Sequence, residues 1–253
     1  MRYNNAIYIY KESCIAACAV DAAKGMCFIM NFFESAVFYQ IYPLGLLGAE
    51  KDNQCDSAYI SRLPKLKSWL QHLCRLGINA IYLCPVFESS HHGYDTRDFM
   101  KVDRRLGTNE QLADFIAQCH NNGVRVVLDA VFNHVGRDFW AFRDVIINRE
   151  RSHYTGWFNI NFSGNSNYND GFWYEGWEGH FELVKLNLNN PDVKKHIFSA
   201  VNMWIENMAP TGCALMLPTC CRTTSCASYV SSVRAKSRNF GSWEKRYTGT
   251  TAF

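Results

Sequence analysis

Leu128-Asp129-Ala130-Val131-Phe132-Asn133-His134-Val135-Gly136 is the stretch from which the fold can be read. The apolar run Val124 to Leu128 leads into it and has the composition of a strand buried on both faces. The strand ends in an acid, and the Asn133-His134 pair follows. Polar residues gathered at the carboxyl end of a buried parallel strand are where α/β enzymes keep their chemistry. A neutral imidazole and a carboxamide both donate and accept, which suits a sugar hydroxyl or an oxygen-ligand metal. A structural reading stays open beside this one, with Asp129 and Asn133 capping a turn and His134 packed in the core.

Outward from this stretch the same grammar repeats. Thr108-Asn109-Glu110-Gln111 has the form of a capping box, Leu112, Phe115, Ile116 and Cys119 make the inward stripe of a helix, and Gly123 ends it. One unit earlier, Leu63, Leu66, Leu70 and Leu73 share a helical face over 63–76, Gly77 closes the helix, and Ile78 to Leu83 is a strand stopped by Pro85. Residues 36–42, Ala-Val-Phe-Tyr-Gln-Ile-Tyr, make a first strand stopped by Pro43. Helix, glycine and apolar strand in succession predict βαβ units with right-handed crossovers and a parallel sheet.

Residues 136–183 are rich in Asn, Gly and aromatics and show no sustained period, which predicts a loop-rich functional insertion. A third helix follows with Pro191 in its first turn and Val193, Ile197, Ala200, Val201, Trp204 and Ile205 facing inward. After Glu206 the pattern stops. Residues 207–253 hold no Asp, one Glu, thirteen Ser or Thr and four Cys, so the fourth strand due there is expected to be missing and the tail irregular and disordered. Residues 1–29 carry three cysteines and no clean period, and Met30 reads as the natural start, leaving 1–29 as an upstream extension.

The 253 residues carry a net charge of +3 and no basic stripe, which argues against a nucleic-acid partner. No run approaches the roughly eighteen apolar residues of a membrane span. Lys11, Glu12 and Asp21 interrupt the apolar parts of the first residues, so no signal peptide is expected there. Eleven cysteines cannot all pair internally, and reduced thiols in the cytoplasm are the simpler expectation. Cys213, Cys220, Cys221 and Cys226 match no zinc spacing.

Three further stretches carry chemistry: His91-His92-Gly93-Tyr94-Asp95-Thr96-Arg97-Asp98 after the second strand, Val102-Asp103-Arg104-Arg105-Leu106-Gly107-Thr108 before the second helix, and Leu183-Val184-Lys185-Leu186-Asn187-Leu188 before the third. Taken singly, Tyr94 reads as packing and Asp98 and Asp103 as loop caps. Taken in order, with Tyr39-Gln40-Ile41-Tyr42-Pro43 on the first strand, they resemble the N-terminal half of the α-amylase family of glycoside hydrolases, over residues 36–206. The cyclomaltodextrinase and neopullulanase-like branch is the nearest in pattern.

The resemblance implies the N-terminal part of a TIM (β/α)8 barrel, over 30–206, with an inserted subdomain at 136–183. It implies a retaining mechanism on the α-1,4-glucosidic bonds of maltodextrins or cyclodextrins, with an aspartate nucleophile and a glutamate acid/base about 5–5.5 Å apart. It places Tyr94 stacked on the sugar, His134 on that sugar's hydroxyls and Asp129 at the floor. It makes Asn133 a calcium ligand, as in many members though not all, and it allows a homodimer for a full-length member. Trp140, Trp173 and Trp177 are candidate sugar platforms or ordinary packing.

The family's Gly-x-Arg-x-Asp nucleophile motif and its Gly-Glu acid are both absent, and Thr211-Gly212-Cys213-Ala214-Leu215-Met216 stands where the first belongs. Codon arithmetic suggests why. Read from the third base of each codon after Glu206, the tail allows K-Y-G-A-D-G-L-R-L-D, with the aspartate codon spanning Leu215 and Met216. Further on it allows W-L-L-G-E-T, with the glutamate codon spanning Glu244 and Lys245. Two motifs restored in one shifted frame point to a lost adenine at Glu206-Asn207. The expectation is therefore a hydrolase family member whose written chain is inactive. The alternatives are a non-catalytic glucan-binding remnant, a pseudogene product, or an unrelated α/β protein that meets the motif order by chance.

Overall fold

The computed structural model describes residues 7–8, 35–54, 58–216 and 241–245. Six strands form the main sheet: β1 (Ile7–Tyr8), β2 (Phe38–Ile41), β3 (Ala80–Leu83), β6 (Arg125–Ala130), β12 (Gly212–Met216) and β13 (Gly241–Lys245), adjacent in that order. From β2 to β13 every neighbouring pair is parallel, and β1 joins β2 antiparallel. Between them lie α1 (Lys67–Arg75, led in by a 3₁₀ turn at Leu63–Leu66), α2 (Asn109–Asn121) and α4 (Pro191–Asn207).

The helices form where side-chain spacing supplies one apolar face. Leu63, Leu66, Leu70 and Leu73 are buried, as are Leu112, Phe115, Ile116 and Cys119, and Val193, Ile197, Ala200, Val201 and Trp204. Ile205 is half-buried. The capping box is present, with Thr108 Oγ1 accepting from the Gln111 amide and Gln111 Oε1 accepting from the Thr108 amide. Gly77 and Gly123 adopt φ of +76° and +74°, the left-handed conformation that ends each helix.

The strand expected to be missing is there, and the irregular tail is corrected to that extent. Gly-Cys-Ala-Leu-Met is short but wholly apolar, and its entry is fixed to β6. The Thr211 amide donates to Val126 O at 2.8 Å, and Thr211 Oγ1 accepts from the Val126 amide at 3.1 Å. β13 then pairs with β12 from Gly212↔Gly241 to Met216↔Lys245. Residues 1–6, 9–34, 55–57, 217–240 and 246–253 lie outside the described residues, and with them the expectations for Met30, Cys220, Cys221 and Cys226.

The stretch read as a loop after the second strand also contains a hairpin, β4 (Phe87–Ser89) with β5 (Thr96–Val102). The segment 136–183 is more ordered than its composition predicts. It holds α3 (Trp140–Asn148), the pair β8 (Ile160–Asn161) and β9 (Trp173–Tyr174), and the strands β10 (Gly176–Trp177) and β11 (His180–Lys185), which join β7 (His134–Gly136) in a small antiparallel sheet. Its core is continuous with that of the parallel sheet. Phe139 lies 5.8 Å from Phe99, and Phe142, Phe158, Phe172 and Tyr174 belong to the same buried cluster as Leu128 and Trp204. Trp204 stacks on Phe87 (4.2 Å, 6°) and donates its indole N–H to Phe99 O at 2.8 Å, which clamps α4 onto the hairpin.

Gly136 has no room for a side chain, because a Cβ there would sit 2.5 Å from the backbone oxygen of Asp95. Gly136→Ala is expected to cost about 1–3 kcal/mol through backbone displacement, read as a lower urea midpoint at unchanged slope. An unchanged midpoint would show that the hairpin shifts freely.

Candidate functional site

The carboxyl ends of β3 and β6 and the connection into β7 bring the candidate residues together. β6 ends in Asp129 and Ala130, and Asp129 is 1% exposed. The chain then turns through Val131 and Phe132 into Asn133 and His134, both buried. The Leu186 amide donates to Asn133 O at 3.0 Å, and β11 pairs Lys185 with His134, so the strand closing the insertion fixes this turn.

Tyr82, on β3, is the group the sequence reading passed over. Its phenol is buried and raised well above its ordinary range, by burial first, then by Asp129 and by Tyr94. Asp129, Tyr82 and Tyr94 therefore share one electrostatic environment. Cys213, on β12, joins it: burial and the Asp129 charge push its thiol up to about 12, so it stays a neutral S–H. The only signal for Tyr82 was its place in a strand of otherwise apolar residues, which does not distinguish a site residue from packing.

Tyr94 is half-buried, and its amide donates to His92 Nδ1 at 3.2 Å. His92 O in turn accepts from the Tyr42 hydroxyl at 3.1 Å, which ties this loop to the end of β2. His134 is held at about 4, chiefly by burial, with His92 adding and the Tyr94 backbone opposing. Its imidazole is neutral near pH 7 and can present a donor on one nitrogen and an acceptor on the other. Asn133 Nδ2 lies 3.4 Å from His134 Nδ1.

Asn133 Oδ1 is buried and has no hydrogen-bond partner among the described residues. Such an oxygen could ligate calcium, but calcium takes about six to eight oxygens. Among the described residues no three His, Cys, Asp or Glu gather into a metal-binding group. Asn133 Oδ1 would be one oxygen of such a shell, and no step below runs through a metal.

The three candidate tryptophans separate. The Trp177 ring lies 5.6 Å from that of His134. Trp140 instead packs edge-on against Tyr154, Trp157 and His196, and Trp173, on β9, is partly exposed. Asp98 and Asp103 hold the loop, as the packing reading had them: Asp98 Oδ1 accepts from the Met100 amide at 2.8 Å, and Asp103 is fully buried against Arg105. A charged cleft of about 210 Å³, lined by Glu88, Arg97, Asp98, Lys101, Arg104, Asp138 and Arg143, includes none of Tyr94, Asp129 or His134.

Five parallel strands adjacent in chain order, with polar residues collected around the carboxyl ends of β3 and β6, have the arrangement of part of a TIM barrel. The Alpha amylase, catalytic domain family model matches residues 40–213. The chain belongs to the alpha-amylase family. Within it, the chain falls in the cyclomaltodextrinase-like branch: it is 34% identical over 199 residues to a cyclomaltodextrinase of Thermoanaerobacter pseudethanolicus, covering 73% of this chain and 34% of that protein. A maltogenic alpha-amylase of Bacillus acidopullulyticus is 33% identical, with 70% and 32% covered. Among solved structures, the cyclic alpha-maltosyl-(1→6)-maltose hydrolase of Arthrobacter globiformis superposes with a TM-score of 0.73 at 31% identity, covering 85% of this chain and 52% of that one. The chain thus spans about a third of the length of these curated relatives. No described helix is long and apolar enough to cross a membrane.

Proposed function

We propose that the chain derives from a retaining glycoside hydrolase acting on α-1,4-glucosidic bonds of maltodextrins or cyclodextrins, and that as written it binds α-glucan without cleaving it. The observation that carries this is the identity of β12. Gly212-Cys213-Ala214-Leu215-Met216 runs parallel to β6 with Ala214 beside Asp129, which supports reading it as the strand on which the family carries its nucleophile motif. Gly212 is kept, but an alanine stands for the motif's arginine and a methionine for its aspartate. A methionine thioether cannot form a glycosyl-enzyme, so the retaining route stops at its first covalent step.

The residues that remain suit binding: Tyr94 as a stacking face, neutral His134 for sugar hydroxyls, and Asp129 at the floor. On this reading 30–206 is the partial catalytic domain with 136–183 as its inserted subdomain, 207–253 is out of frame, and the protein acts in the cytoplasm. Homodimerisation would be a property of the full-length member. A pseudogene product fits the same strand identity.

The test is isothermal titration with maltoheptaose beside product analysis on cyclomaltodextrin. Binding without products is expected, and Tyr94→Ala should weaken binding about three- to tenfold. Released maltose would overturn the claim of inactivity, and no heat of binding would overturn the glucan reading.

A further inference from the structure

His134 is 1% exposed, so a sugar hydroxyl can reach its ring only if something moves. One neighbour is Trp177, a half-buried indole with its ring 5.6 Å from the imidazole and tilted by 40°. Trp177 ends β10, where the register slips against β11 in a bulge between Gly176 and Trp177. The two residues that turn the chain back to His180 are Glu178 and Gly179, with φ of +48° and +85°. Two positive φ values suit a tight two-residue hairpin turn, but glutamate is strained there. On the outer side the exposed His180 stacks on the indole (6.0 Å, 24°) and pairs with Glu182 at 3.0 Å. The indole is thus held between an inner, buried histidine and an outer, solvent-facing one, beside a bulged, strained hairpin turn.

We propose that Trp177 is a displaceable cover over His134, latched from outside by His180, and that an α-glucan chain displaces it to reach the imidazole. The occupant rests on the glucan-binding reading above; the cover itself rests on geometry alone. A closed site whose open form is a minor population binds with an affinity reduced by that population, so removing the cover should tighten binding.

The test uses the whole chain and two readouts. Diethyl pyrocarbonate modifies neutral, accessible imidazoles, and the exposed His153 serves as the internal standard. In the wild type His134 should react on the order of tenfold more slowly than His153, and in Trp177→Ala the two rates should approach each other. Trp177→Phe, which keeps a ring, should stay protected. In parallel, Trp177→Ala should bind maltoheptaose about threefold or more tightly than wild type. His180→Ala, at an exposed position, carries the same test through a milder change should Trp177→Ala fail to fold. An unreactive His134 in folded Trp177→Ala, or weaker maltoheptaose binding by it, would overturn the cover. If His134 becomes reactive while neither wild type nor variant binds maltoheptaose, the cover stands and the glucan reading fails.

Discussion

Inserting one adenine at the codons for Glu206 and Asn207 of the source gene, and expressing the full length of the frame that this opens, is expected to raise hydrolysis of cyclomaltodextrins far above that of the chain as written. In the shifted reading that the codons allow, the restored frame would replace Ala214 by arginine and put an aspartate where the Leu215–Met216 codons meet, on a strand docked beside Asp129. It would also supply a glutamate at the Glu244–Lys245 codons, in the strand that pairs with β12. Nucleophile and acid act as a unit, so both must return together. The expected change is from background to a measurable rate, an effect on the order of 10⁶-fold or more given what glycosidic bonds require. The assay is release of reducing ends from cyclomaltodextrin. A frame-restored, full-length protein that folds and stays inactive would sink the frameshift explanation.

Arg105→Leu is expected to cost about 3–5 kcal/mol, the range for leaving one member of a buried ion pair alone. Asp103 is fully buried and Arg105 nearly so, with Nη2 2.7 Å from Asp103 Oδ2 and Nε 2.9 Å from Oδ1. Ser89 adds its hydroxyl to Asp103 Oδ2 at 2.8 Å. Arg105 Nη1 also donates to Glu50 O, Lys51 O and His91 O at 2.9, 3.1 and 2.7 Å. It therefore ties the segment after β2, the β4–β5 hairpin and the lead into α2 to one cation. Those three carbonyls decide the outcome of the double variant. Asp103→Leu with Arg105→Leu removes both charges, which is often nearly neutral, yet here it still strands the carbonyls. Urea unfolding of the single and double variants should show both destabilised. A double variant as stable as wild type would mean that the carbonyls find other partners at no cost.

The sequence by itself determined the elements with a clean local period and the order of the chemical motifs. Leu63 to Leu73 and Leu112 to Cys119 repeat every three or four residues because one face of a helix must be apolar, and Gly77 and Gly123 mark where the chain needs positive φ. Asp129, Asn133 and His134 were legible because polar residues following a fully apolar strand have few places to lie except its carboxyl end. What the tertiary structure decided depends on register between distant segments. β12 was invisible as five apolar residues among Thr, Pro and Cys, and became a strand because Thr211 docks on Val126. Tyr82 joined the site only when β3 and β6 paired side by side. Asp103 caps its loop as the sequence suggested, but that Arg105's guanidinium and the Ser89 hydroxyl close around it was decided by the tertiary structure. Of three tryptophans alike in sequence, only the bulged hairpin shows that Trp177 meets His134. Periodicity reports which face of a local element is buried; what that face meets is set by chain pairing, which no local pattern encodes.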